Sequence, residues 1–242
     1  SDPIAPPTPE IGWLEPFPDE WLADQGAVNP EAHYSAYESI SLAFLAALQT
    51  LPPRQRAVLI LNDVLDWSAQ ETAELLGTTV SAVASMLRRA RVTMAATYHG
   101  RSPDERRGPG IDQHTQRMLD RYMHAWQTAD VAGLVDLLKE DAVLSMPPSP
   151  SWYRGSAAVG AFVGATVFAE QGMFGGKASG RWKLVPTRAN GEPAFAAYQS
   201  MENGELQPSG VQVLTFEGGR ISVITSFVEP SLTQWFKPRP AD

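Results

Sequence analysis

The chain has 242 residues, 43% hydrophobic and 19% charged, with 19 Lys plus Arg against 27 Asp plus Glu for a net charge of −8. That is enough for one large domain or two ordinary ones, each with its own core, and the acidic total argues against a general nucleic-acid coat protein. With no Cys, disulfides, thiolate zinc sites, iron–sulfur clusters and Cys nucleophiles are excluded. No apolar run of about 18 residues and no signal-peptide pattern is seen, so a cytoplasmic protein without membrane contact is the default expectation.

The charge is unevenly spread. Residues 1–53 carry eight acids and no Lys or Arg, whereas residues 54–107 carry eight Arg against six acids. Residues 1–30 hold seven of the 20 prolines, which forbids a long helix and predicts an extended arm. The arm also carries Trp13, Leu14, Phe17 and Trp21. Apolar groups of that size are expected to dock on this chain rather than stay in water.

Residues 31–98 read as helical. Asn29-Pro30-Glu31 opens a helix to about Gln49, and Leu51-Pro52-Pro53 stops it. A second helix is predicted from Arg54 to Leu65. Ser68 followed three residues on by Glu71 has capping-box spacing, so a short helix is expected to Leu76, with Gly77 closing it. Thr79 is placed to cap a further helix from Val80 to about Tyr98. Residues 99–111 are charged and rich in Gly and Pro, as an interdomain linker would be.

Beyond the linker, helices are expected over 112–128 and 130–138, then a strand over 142–146 and a Pro-rich loop at 147–155. A helix over 156–170 follows, and then strands at 181–188, 194–201, 210–217 and 220–229. Asn190-Gly191, Asn203-Gly204 and Gly218-Gly219 separate the strands as hairpin turns. Helices followed by a meander predict an α+β domain over 112–236 with a curved antiparallel sheet.

The strongest motif is AQETAELLGTTVSAVASMLRRAR, residues 69–91. Two short helices joined at a Gly turn are a helix-turn-helix. Thr72, Leu76, Val83 and Met86 fall on the inward side. Thr79, Ser81, Ala84, Ser85, Arg88, Arg89 and Arg91 are left for DNA, the N-terminal part of the second helix nearest the bases and the arginines on phosphates.

Residues 51–91, from LPPRQR through the Trp-Ser and Leu-Gly steps to Arg-Arg-Ala-Arg, resemble region 4 of sigma-70 family RNA polymerase factors, most closely the extracytoplasmic-function group. The resemblance implies reading of the promoter −35 element and packing on the polymerase β flap. Ala84 and Met86 stand where that family often carries Lys and Arg, so fewer direct base contacts are expected. The family's region 2 has no counterpart in this chain, while GWLEPFPD at 12–19 resembles the linker that follows it. The chain therefore looks like a fragment of a longer factor.

Residues 112–236 resemble the SnoaL-like, nuclear-transport-factor-like cone, on the element order, the MPPSPSWYRG loop at 146–155 and FEGGRISVITSF at 216–227. In sigma factors that carry it, this domain is understood as a built-in regulator, so no enzymatic activity, cofactor or metal is expected. The resemblance makes Gly218, Gly219 and Arg220 candidates for an interdomain contact, with Trp13 and Leu14 opposite. An unknown small molecule would be met by Trp126, Met146, Trp152, Tyr153, Phe162, Trp182 and Tyr198 as candidate pocket residues. The alternative is a polyketide-cyclase or ketosteroid-isomerase type enzyme, or a ligand sensor, fused to a DNA-binding module. Enzymatic chemistry would need a base beside an oxyanion donor, and His114 and His124 on the first helix of the domain are the histidines to test for it.

Overall fold

The computed structural model describes residues 15–23, 45, 48–97, 111–147, 149–171, 174 and 176–236. Trp13, Leu14, most of the helix expected over 31–49 and all of the linker expected at 99–111 except Ile111 lie outside them. The chain divides into two units, one of residues 20–109 and one combining residues 1–19 with 110–242.

In the first unit, α1 spans Pro53–Leu59, α2 spans Ala69–Leu75 and α3 spans Val80–Thr97. The helix expected from Arg54 to Leu65 changes character part-way. From Ile60 to Val64 it is a π-turn, in which the Leu65 N–H reaches the Ile60 carbonyl at 3.0 Å. The α2 cap is a full capping box. The Glu71 N–H donates to Ser68 Oγ, and the Ser68 N–H donates to Glu71 Oε2 at 2.8 Å. The Ser68 hydroxyl holds the Glu71 carboxyl below its ordinary value. Gly77 follows with φ +59°, a conformation that costs Gly little. Thr79 Oγ1 then accepts from the Ala82 N–H at 3.2 Å and starts α3. Two small apolar clusters hold the helices. Val58, Ala73 and Val83 form one, and Leu48, Leu51, Leu59, Ala90 and Met94 the other.

The second unit opens its regular structure with α4, Gln113–Thr128, capped by Asp112, and α5, Val131–Leu137, capped by Asp130. Strands β1 (Leu138–Ser145) and β2 (Trp152–Arg154) follow, then α6 (Ser156–Phe162). A meander of β3 (Trp182–Ala189), β4 (Glu192–Ser200), β5 (Leu206–Glu217) and β6 (Arg220–Phe227) completes the sheet, and a 3-10 helix runs over Pro230–Phe236. The strand order is β2-β1-β6-β5-β4-β3.

The sheet is mixed rather than antiparallel throughout, because β1 pairs with β6 in parallel. The three hairpins that the turns announce are local, but the β1–β6 pairing joins segments about 80 residues apart and leaves no turn signature. The expected loop at 147–155 also contains a strand. Trp152, Tyr153 and Arg154 pair antiparallel with Ser145, Leu144 and Val143. Three residues of an edge strand beside a run of prolines give too short a period to read. The helix expected over 156–170 ends at Phe162 and continues as a π-turn over Val163–Val167.

One core fills the space between the helices and the inner face of the sheet. Tyr122, Leu134, Leu137, Phe195, Leu214 and Ile221 are among its fully enclosed members. Strand β4 is buried on both faces over Glu192–Ala197. The 3-10 helix packs beside β4 and β5, with Leu232 and Phe236 buried.

Candidate nucleic-acid interface

Helix α3 separates its residues by face. Val83 and Ala90 are fully buried. Ser81, Ala84, Arg88, Arg89 and Arg91 are exposed, as is Thr79 just before the helix, and Ser85 is half-buried. Thr72 on α2 is buried, and its hydroxyl accepts from Asn62 Nδ2 at 3.0 Å. That bond ties α2 to the π-turn ahead of it. The helix-turn-helix crossing is thus packed by Thr72, Ala73 and Val83, all small or β-branched, which lets the two helices approach closely.

The three arginines differ in what they can do. Arg88 has no hydrogen-bond or ion-pair partner among the described residues. Arg89 donates from Nη2 to Ser85 Oγ at 3.1 Å, one turn back on its own helix. Arg91 makes a bidentate pair with Asp63, Nε to Oδ2 at 3.0 Å and Nη2 to Oδ1 at 2.7 Å. Fork-to-carboxylate pairing of this kind is directional. To reach a phosphate, Arg91 must leave Asp63. Nothing local in the sequence signals that pair, which spans 28 positions. Ala84, Leu87, Arg88, Arg91, Val92 and Ala95 line an open groove along α3, mostly apolar with arginines at its rim.

The Gly-Gly-Arg turn of the second unit is built into its own domain. Gly218 and Gly219 have φ of +59° and +76°, the pattern of a tight hairpin turn with both central residues left-handed. Gly219 O contacts His114 Nε2 at 2.9 Å. Arg220 Nη1 donates to the Asp136 carbonyl at 2.6 Å and to the Leu138 carbonyl at 3.2 Å, so it caps the end of α5. Asp136 in turn pairs with Arg121, whose hydrogen bond and charge keep the Asp136 carboxyl below its ordinary range.

The candidate pocket residues do not form one set. Trp126 and Trp182 meet edge to face at 5.7 Å, and Tyr153 stacks on Phe162 at 4.2 Å. Met146, Tyr153 and Phe162 pack on the rim of the core. Trp152 does not line the interior. It is 62% exposed on the outer side of β2, with the Arg154 guanidinium 6.0 Å from its ring. Tyr198 does not line it either. It is paired with Lys183, one residue out of step with Trp182 and Leu184, which face the core. A strand alternates faces at every residue, and that parity separates both side chains from their neighbours.

The interior also holds polar atoms. The Tyr122 hydroxyl donates to Gln212 Oε1 at 2.9 Å, fully buried, and burial pushes its ionisation far up. Trp126 Nε1 is buried without a hydrogen bond of normal geometry. Phe168 and Phe174 add rings beside Trp126 and Trp182. The signal available for Tyr122 was only its place on the apolar face of α4.

Residues 41–94 match the family described as Sigma-70, region 4, and residues 119–224 match the SnoaL-like domain. The chain carries a sigma-70 region 4 followed by a SnoaL-like domain. It is 37% identical over 224 residues to the ECF RNA polymerase sigma factor SigG of Mycobacterium tuberculosis, covering 92% of this chain and 57% of the relative. The chain thus spans little more than half the length of the curated relatives it matches. In structure it resembles the extracytoplasmic function sigma factor SigJ of Mycobacterium tuberculosis, with a TM-score of 0.56 and 22% identity, covering 92% of this chain and 74% of that one. That likeness bears on the fold: a helical region 4 and an α+β SnoaL-like domain. No helix among the described residues is long and apolar enough to cross a membrane.

Proposed function

We propose that this chain is the −35-reading and regulatory part of an RNA polymerase sigma factor. The observation that carries the reading is the helix-turn-helix crossing of region 4. Thr72, Ala73 and Val83 are buried at it while Ser81, Ala84, Arg88 and Arg89 stand exposed on α3. In this reading α3 enters the major groove, with Ser81, Ala84 and Ser85 nearest the bases and Arg88 and Arg89 on phosphates. Ala84 supplies apolar contact to a thymine methyl rather than a hydrogen bond. Val64, Leu65 and Trp67, exposed at and just after the end of the π-turn, offer an apolar surface to the polymerase β flap. The SnoaL-like domain regulates and does not catalyse. His114 and His124 are both exposed on α4, so neither can serve as a base beside the buried Tyr122 hydroxyl.

Fluorescence anisotropy with a −35-containing duplex tests this. The chain should bind weakly, with a salt slope of a few phosphates at about −0.9 each. Arg88→Ala should weaken binding to all sequences alike and lower the slope by about 1. Tight, salt-insensitive binding, or an Arg88→Ala chain that binds as before, would reject the reading. A second role rests on Trp126 Nε1, a buried donor with no hydrogen bond of normal geometry. A small apolar molecule with one carbonyl could use it, and a panel of such ligands should then quench tryptophan emission in the wild type and not in Trp126→Phe.

A further inference from the structure

We infer that the β3–β4 hairpin of the SnoaL-like domain is a peptide-binding edge for an extended Pro–Asp segment, and that Phe17-Pro18-Asp19 of the arm is its occupant within this chain. The inference goes beyond the proposed function, since it needs neither DNA nor polymerase.

The hairpin turn is Asn190-Gly191, with φ of +56° and +75° and Ala189 paired to Glu192 across it. In a two-residue hairpin the N–H groups of both turn residues lie outside the ladder and ordinarily go to water. Here both are taken by the arm. The Asn190 N–H donates to the Phe17 carbonyl at 2.9 Å, and the Gly191 N–H donates to Asp19 Oδ1 at 2.8 Å. The strand edge continues the pattern. Pro18 bridges antiparallel to Ala189, and the Asp19 N–H reaches the Arg188 carbonyl at 3.3 Å. Pro18 suits the middle position, because the backbone donors that the contact uses belong to its two neighbours.

Side chains then read the segment. Asn190 Oδ1 accepts from the Phe17 N–H at 2.8 Å. Arg188 Nε donates to Asp19 Oδ2 at 3.1 Å, while its Nη2 holds the Gly191 carbonyl at 3.0 Å. Arg188 is therefore positioned by the turn before it meets the carboxylate. Asp19 is 4% exposed and Asn190 1%, which is unusual for a turn tip and for an acid. A carboxylate buried this deeply needs its charge met, and the hairpin supplies a guanidinium and a backbone N–H. Strand addition of this kind takes affinity from main-chain bonds and selectivity from side-chain contacts. The selective element is the acid, so a segment of another protein with Pro followed by Asp would compete for the same edge.

The test uses the whole 242-residue chain and a fluorescein-labelled peptide of residues 12–20. The Asp19→Lys chain, whose own arm would set Lys against Arg188, should bind the peptide. The wild type should bind it at least about tenfold more weakly, because the tethered arm competes at an effective concentration on the order of millimolar. A peptide with Asn in place of Asp19 should bind about ten- to a hundredfold more weakly, the range expected for charge-assisted bonds. Adding Arg188→Ala to the Asp19→Lys chain should abolish binding. Near-UV circular dichroism checks that each variant is folded. Hydrogen exchange on the wild type gives an independent reading, with the Asn190 and Gly191 amides protected, and freed in Asp19→Lys. The inference is overturned if no variant binds the peptide, if Asp and Asn peptides bind equally, or if those two amides exchange freely in the wild type. None of these outcomes bears on DNA binding, so the loss of this inference and the loss of the proposed function remain separate results.

Discussion

Region 4 and the SnoaL-like domain stabilise themselves by different means. Among the described residues, region 4 is held by caps, by two clusters, the larger with five buried residues, and by bonds of short sequence span such as Ser68 to Glu71 and Thr79 to Ala82. Among its described residues, the SnoaL-like domain has a cluster of 20 buried residues drawn from helices and strands, with Ala194, Val211, Val213, Leu232 and Phe236 buried outside it. The lesson is that a recognition module can set its working face outward through local caps, while a domain that grips another segment needs a rigid sheet behind the grip.

The largest expected effect compares one substitution in the two places. Leu214→Ala, at a fully enclosed site on β5, should cost about 4–5 kcal/mol, because the flanking strands are fixed by their ladders and cannot close the cavity. Leu59→Ala in region 4 should cost about 2–3 kcal/mol, because helices around a small cluster can settle inward. Urea unfolding followed by tryptophan emission and by helix-sensitive circular dichroism would separate the two transitions. Equal losses would break the comparison.

A smaller effect concerns the cap. Ser68→Ala should destabilise region 4 by about 1 kcal/mol at neutral pH. The Glu71 carboxyl lies below its ordinary value of 4.5 in the folded chain, so the unfolded chain takes up its proton first as the pH falls. The cap contribution is complete above 4.5 and is lost as the pH drops through the lower folded value. The gap between wild type and Ser68→Ala should therefore shrink in acid. A gap that stays the same there would show that the carboxyl plays no part.

The smallest effect sharpens the role of Arg91. Exposed ion pairs contribute about 0–1 kcal/mol, so Asp63→Asn should leave the thermal midpoint almost unchanged. It should raise affinity for duplex DNA a few-fold at low salt by releasing the guanidinium. A fall in affinity would mean that Arg91 works as a pin holding α3, with Arg88 and Arg89 left to meet phosphate.

Much of region 4 was legible before the fold was known. The capping box, Gly77, Thr79 and the inward pairs Thr72 with Leu76 and Val83 with Met86 are patterns of three or four residues, and helix geometry turns such spacing directly into faces. The hairpins at Asn190-Gly191 and Gly218-Gly219 were legible for the same reason. Docking of the arm within the chain was expected from its apolar content, but the residues on which it lands were not.

What sequence alone determined here is what short-range physics governs: where helices start and stop, where strands turn, and which side of α3 is wet. The tertiary structure alone decided that β1 runs parallel beside β6, that Trp152 and Tyr198 face away from Trp182, that Arg91 is tied to Asp63, and that Asp19 sits on Arg188. Each of these joins positions far apart along the chain or depends on strand parity. A one-residue slip reverses every face of a strand, and no local pattern records which distant group a charge will meet.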